Sequence, residues 1–168
     1  MSANNNITLI GMPGAGKSTV GVILAKVLGY EFVDPDLLIQ KQEGKLLSEI
    51  IAEKGEDEFL RIESRVNEEL DLSSSVIAPG GSVIYEPEAM KHLKEIGKVV
   101  YLKLDYKVIE KRVANVKKRG VVLKDGQTLK DLYNERHPLY EKYADIIIDA
   151  HLKSPEDVMQ KICEAIGK

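Results

Sequence analysis

The stretch GMPGAGKST, residues 11–19, brings glycines, a lysine and two hydroxyl side chains together at a spacing suited to a polyphosphate. Gly11, Gly16, Lys17 and Ser18 fit the pattern Gly-x4-Gly-Lys-Ser, between an apolar run and an amphipathic one. Glycine lets backbone N–H groups approach phosphate oxygens that a Cβ would hold away. The helix expected to open after the loop adds the positive end of its dipole. Gly14, Ala15, Gly16, Lys17, Ser18 and Thr19 are therefore read as a nucleotide cradle. Lys17 reaches the β- and γ-phosphates, and the Ser18 hydroxyl ligates Mg²⁺.

A second stretch, FVDPD at residues 32–36, ends a short β-rich run in two carboxylates. At the C-terminal edge of a strand adjacent to the cradle strand, Asp34 and Asp36 would face the bound phosphate. One can serve a metal while the other orients, or takes the proton of, an alcohol. The same residues also suit a strand-ending turn, with Asp36 capping a helix over 37–42 and Pro35 as its punctuation.

The elements that must position these groups follow from periodicity. Runs at 7–12, 30–34, 75–80, 98–104 and 144–149 are short and rich in Val and Ile, as buried parallel strands are. Between them lie amphipathic segments. One places Val20, Ile23, Leu24 and Leu28 on one stripe with Gly29 as its stop. Another places Phe59, Ile62, Val66 and Leu70 at helical spacing. Ser154 and Pro155 open the last helix as N-cap and first turn. Alternation of strand and helix predicts a three-layer α/β/α fold with a mostly five-stranded parallel sheet. One domain over 1–168 is expected, with a lid at about 113–128 that includes Lys117, Lys118 and Arg119.

Composition narrows the classes of function. Hydrophobic residues make up 43% and charged residues 30% of 168, an ordinary globular balance. A net charge of -3 gives no global reason to expect nucleic acid as a partner. Cys163 is the single cysteine, which leaves no intramolecular disulfide and suits a reducing compartment. MSANNN lacks the pattern of a signal peptide, and no apolar run approaches the roughly 18 residues that span a bilayer. The expectation is a cytoplasmic monomer without a membrane partner.

Three classes of nucleotide protein compete: a small-molecule kinase, a GTPase switch, and an ATPase module that regulates a partner. No Asn-Lys-x-Asp guanine-reading motif is present, and IIID ending at Asp149 lacks the second acid of an ATPase strand. The basic segment around Arg119 favours the kinase, whose transition state needs cations near the γ-phosphate and exclusion of water.

The order GMPGAGKST, FVDPD, GEDEFLRIE, PGG, KRV, KKRG and RHPLYEKYAD resembles shikimate kinase. The resemblance implies an ATP- and Mg²⁺-dependent kinase that converts shikimate to 3-phosphoshikimate, a step toward aromatic amino acids. It also implies roles. Asp34 joins Ser18 at the metal; Asp36 meets the attacking hydroxyl; Gly80, Gly81 and Arg136 hold the acceptor; Arg119 reaches the transferring phosphate. Arg112 packs against adenine, by cation–π stacking on the purine face, and Pro155 lies nearby. Three positions depart from the family pattern. Leu60 replaces an arginine that grips the substrate carboxylate, Pro79 replaces the first of three glycines, and Gly120 replaces a proline after Arg119. Arg61 cannot substitute, because one helical step turns a side chain by about 100°. A bidentate carboxylate contact is worth on the order of 1.5–3 kcal/mol. A shikimate-kinase-like paralogue acting on another hydroxylated metabolite is therefore the alternative. His92 and His137 have no partner pattern and are read as structural or solvated.

Overall fold

A computed structural model describes residues 4–114, 123–151 and 153–168. Arg119, with Lys117, Lys118, Gly120 and half of the expected lid, lies outside the described residues. Five strands form one parallel sheet: β1 (Asn6–Ile10), β2 (Glu31–Val33), β3 (Ser75–Ile77), β4 (Gly97–Lys103) and β5 (Ile146–Asp149), in the order β2-β3-β1-β4-β5. Each lies within or beside a run expected from the sequence. The pairing register runs from Asn6 opposite Gly97 to Ile10 opposite Tyr101 on one side of β1, and sets Ile7 opposite Val76 on the other.

One expectation is corrected. β2 does not neighbour β1; β3 lies between them. The residues explain the order. Val76 and Ile77 are fully buried and tolerate neighbours on both sides, whereas β2 starts at exposed Glu31 and suits an edge. The two acids after β2 reach the cradle by way of the next helix rather than by strand pairing.

Helices cover both faces. α1 (Lys17–Leu28) packs with α8 (Pro155–Ile166). The segments that step the other way along the sheet lie on the opposite face, as right-handed crossovers require. They are α2 (Pro35–Glu43), α3 (Leu47–Lys54), α4 (Glu56–Glu68), α5 (Pro87–Ile96), α6 (Tyr106–Val113) and α7 (Leu129–Tyr143). A 3-10 turn over Gly81–Tyr85 leads from β3 to α5.

The start of α2 gives a second correction. Asp34, not Asp36, is its N-cap, and the helix begins at Pro35. Proline at the first helical position has no N–H to lose and a ready-made φ, while it forces the preceding residue to be extended. Asp34 accordingly sits at φ -109, ψ 106, and its Oδ1 accepts the Asp36 N–H at 2.9 Å. Ser154 caps α8 as expected, accepting from the Asp157 N–H at 3.1 Å.

Two apolar clusters hold these layers. The larger joins the sheet to α1, α5, α7 and α8, with Leu9, Leu24, Val99 and Ile162 excluded from solvent. The smaller consists of Ile39, Ile50, Phe59, Ile62 and Val66, and ties α2, α3 and α4 to one another. Ile62→Ala empties the centre of the smaller cluster. The expected loss is about 2–5 kcal/mol of unfolding free energy, measured by urea denaturation; a loss under about 1 kcal/mol would show that α4 is held by other means.

Candidate active site

The loop after β1 is shaped by backbone before any side chain acts. Gly14 (φ 80) and Gly16 (φ 91) take left-handed conformations that other residues rarely adopt. Buried Ala15 closes the turn by donating its N–H to Met12 O at 3.0 Å. Lys17, the first residue of α1, bends back and donates from Nζ to Gly11 O at 2.7 Å and Met12 O at 3.0 Å. Its ammonium therefore sits over the mouth of the loop, where a phosphate would meet it. Burial, and then the charge of Arg136, lowers its pKa from 10.5 to about 8, opposed by Asp36 and Asp34.

Ser18 and Thr19 point into a cleft of about 380 Å³ shared with Gly14, Gly16, Lys17 and Arg112. Arg112, at the end of α6, donates from Nη1 to Gly14 O at 3.1 Å and so walls the cradle. Pro155 stands exposed at the start of α8 and does not line this cleft.

A larger cavity, about 540 Å³, adjoins the loop and contains Lys17, Asp34, Asp36, Gly80, Gly81 and Arg136 among its walls. Asp36 is raised from 3.8 to about 6, first by burial and second by the nearby Asp34 carboxylate, against the pull of Lys17. A carboxylate in that range is a stronger base than a solvated aspartate and is still largely ionised at neutral pH. Asp34 has its Oδ1 committed to the helix cap, which fixes the direction of its other oxygen.

The 3-10 turn supplies the floor. Gly81 leaves room for Arg136: a Cβ there would lie 2.8 Å from Arg136 Nη1 and 3.0 Å from Tyr140 Oη. Tyr140 donates to Gly81 O at 2.8 Å and pins the turn to α7. Arg136 is only 5% exposed, lies over the Tyr85 ring at 5.4 Å, and keeps a buried Nε with no hydrogen-bond partner among the described residues. It is held in place and has a donor to spare.

α4 supplies the facing wall. Leu60 lines the cavity, whereas Arg61 points to solvent and pairs with Glu58 at 2.9 Å. Arg61 thus leaves the position of Leu60 without a cation, as the helical rotation predicts. Three wall residues were not singled out from the sequence. Glu63 is 1% exposed, and its Oε1 accepts from the Ser82 hydroxyl at 2.7 Å. Tyr85 completes the group beneath Arg136. A signal for Glu63 existed, since it falls on the same helical stripe as Phe59, Ile62 and Val66, where a charged residue is out of place. His92 and His137 have structural places: His92 Nε2 bonds Leu70 O at 2.7 Å, and His137 stacks on Tyr133 and bonds Tyr101. No helix among the described residues is long and apolar enough to cross a membrane.

A phosphate-binding loop at the end of the central strand, opening beside a pocket with a base and a cation, defines a P-loop small-molecule kinase. A sequence profile described as shikimate kinase matches residues 13–167, and the chain belongs to the shikimate kinase family. It is 37% identical over 158 residues to a shikimate kinase of Persephonella marina, covering 94% of this chain and 96% of the relative. It is 39% identical over 160 residues to one of Thermodesulfovibrio yellowstonii, covering 94% and 92%. A solved shikimate kinase of Acinetobacter baumannii, in complex with shikimate, superposes with a TM-score of 0.89 at 36% identity, over 96% of this chain and 92% of that one. The enzyme of Aquifex aeolicus gives 0.82 at 33% identity, over 96% of each.

Burial of Glu63 raises it from 4.5 to about 7, the Asp36 charge adding to this and the Ser82 hydroxyl and Arg136 opposing it. The fold therefore favours the protonated form. The stability Glu63 contributes is complete below its unfolded value and is lost as pH rises through about 7. Glu63→Gln keeps the shape and cannot ionise. It is expected to be more stable than the parent at alkaline pH, by on the order of 1–3 kcal/mol, with the gap closing in mild acid. Urea denaturation at both pH values checks this; a variant less stable in alkali would contradict it.

Proposed function

We propose that this chain transfers the γ-phosphoryl group of ATP to a hydroxyl of a small acceptor, with shikimate giving 3-phosphoshikimate as its reaction. The observation that carries the reading is one cavity in which Asp36 lies between the Lys17 cradle and the Gly80–Gly81–Arg136 acceptor wall. The acceptor oxygen bonds to the γ-phosphorus, the bond from that phosphorus to ADP breaks, and Asp36 takes the hydroxyl proton. Lys17 and Arg119 are the cations that meet the developing phosphoryl charge.

Ser18 and Asp34 fit Mg²⁺, which prefers few protein oxygens and completes its shell with phosphates and water. When bound, it neutralises charge on the β- and γ-phosphates. Arg112 is assigned to the adenine side, supported by its contact with the loop, and Pro155 is assigned there on resemblance alone. Arg136 takes the acceptor carboxylate. The enzyme is read as a cytoplasmic monomer of one domain, without nucleic-acid or membrane partners. Leu60 in the cavity wall favours a second reading, in which the natural acceptor is another hydroxylated metabolite.

ADP release with ATP and Mg²⁺ is expected to rise strongly when shikimate is added; no rise would overturn shikimate as the acceptor. Asp36→Asn is expected to lower kcat by about 100-fold or more with nucleotide affinity kept. Since Asp36 must be ionised to take a proton, kcat/KM of the parent climbs with pH through about 6. A profile flat across that range would remove Asp36 as the base. Leu60→Arg is expected to lower the KM for shikimate about tenfold or more, the effect of one charged hydrogen-bond pair.

A further inference from the structure

The acceptor wall has more carboxyl groups than an anionic substrate needs. Among the described residues, the buried charged groups of the wall are Glu63 and Arg136, with Asp34, Asp36, Glu86 and Lys17, which serves the phosphate loop, half-buried beside them. Lys124 reaches only the exposed rim. Glu63 is bonded to Ser82 through Oε1, and its Oε2 has no hydrogen bond among the described residues. The position that would give it a neighbouring guanidinium is Leu60. Arg136 acts on it through charge without a hydrogen bond, while Asp36 and Glu86 act against it. Ionised, Glu63 is a buried carboxylate without a bonded cation, which is costly and is why the fold favours its protonated form; a ligand cation would relieve that cost and hold it ionised.

Asp36, Glu63 and Arg136 are also close together. A Cβ on Gly80 would lie 3.1 Å from Glu63 Oε2 and 3.4 Å from both Asp36 oxygens, while one on Gly81 would lie 2.8 Å from Arg136 Nη1. Adjacent Cα atoms are about 3.8 Å apart, so one small molecule can touch all three.

We infer that the acceptor pocket also takes a zwitterionic hydroxy amino acid: its carboxylate on Arg136, its ammonium on Glu63 and its hydroxyl on Asp36. This rests on the reading of the chain as an ATP-dependent alcohol kinase, and the transfer is the same. The hydroxyl oxygen bonds to the γ-phosphorus, ADP leaves, and the proton passes to Asp36. Leu60 makes the pocket selective for the amine, because no arginine among the described residues is bonded to Glu63. Ser82 orients the carboxylate from behind.

The test compares matched acceptors that differ only in the amine: L-homoserine with 4-hydroxybutanoate, and L-serine with 3-hydroxypropanoate, beside shikimate, all by ADP release. The expected result is a kcat/KM at least about tenfold higher for one amino compound than for its deaminated partner, a difference worth one good charged contact. Glu63→Gln is expected to bring that ratio near one, and Glu63→Asp to retain part of it. Should Glu63→Gln fail to fold, Leu60→Arg gives the second check, since its guanidinium would occupy Glu63 and reduce the ratio while improving shikimate. Turnover of shikimate with no preference for either amine overturns the inference and leaves the proposed reaction standing. Turnover of an amino compound but not of shikimate upholds the inference and removes shikimate. Turnover of none overturns both.

Discussion

Parallel pairing on both sides of β1 places the C-terminal ends of all five strands on one edge of the sheet. A parallel sheet must cover both faces with helices, so the backbone can turn toward a ligand only at its edges. The loop from residue 11, the acids after β2 and the glycines after β3 each begin within three residues of a strand end. Their convergence is a property of the topology, and local chemistry then decides what they bind. Lys17 joins these parts electrostatically. It closes the loop through two carbonyls, and its charge acts on the carboxylate that would receive a proton.

The acceptor side is built from different elements and by different means. Gly81 gives up its side chain so that Arg136 and Tyr140 can approach the turn, and Tyr140 fixes the turn by a hydrogen bond to its carbonyl. Arg136 is thus oriented by packing, by the Tyr85 ring and by the turn, with no ion pair to an acid among the described residues. Its charge therefore remains available to a ligand. Asp36 and Glu63 stand on the other side of Gly80, each raised by burial, so the polarity of the cavity changes across two consecutive residues.

What could be read from the sequence was what is local. The phosphate loop depends on spacing within nine residues, the Asp34 and Asp36 pair on a strand end, and the apolar stripe of α4 on period alone. The two corrections have a shared origin in information that was not local. β2 lies one strand further from β1 than expected because burial on both sides, settled by tertiary packing, outranks sequence order. The cap moved from Asp36 to Asp34 because Pro35 starts the helix earlier than the apolar pattern does. Glu63 was concealed by a pattern that is otherwise apolar, and Ser82, Tyr85 and Tyr140 look unremarkable until the turn and α7 meet. Leu60 was visible as a departure from the family pattern, and the structure adds that it faces the cavity while Arg61 faces water.

The small cluster of Ile39, Ile50, Phe59, Ile62 and Val66 is packed apart from the larger core, with Leu38 touching both. It anchors α4, which bears both Leu60 and Glu63, to α2 and α3, while Met12 and Ala15 of the phosphate loop belong to the larger core. Side chains that α4 contributes to the acceptor wall are therefore packed apart from the cluster that holds the nucleotide cradle. Such a division lets a lineage try new acceptors one residue at a time while the donor chemistry stays constant. The leucine in an arginine's place is the kind of change this architecture tolerates.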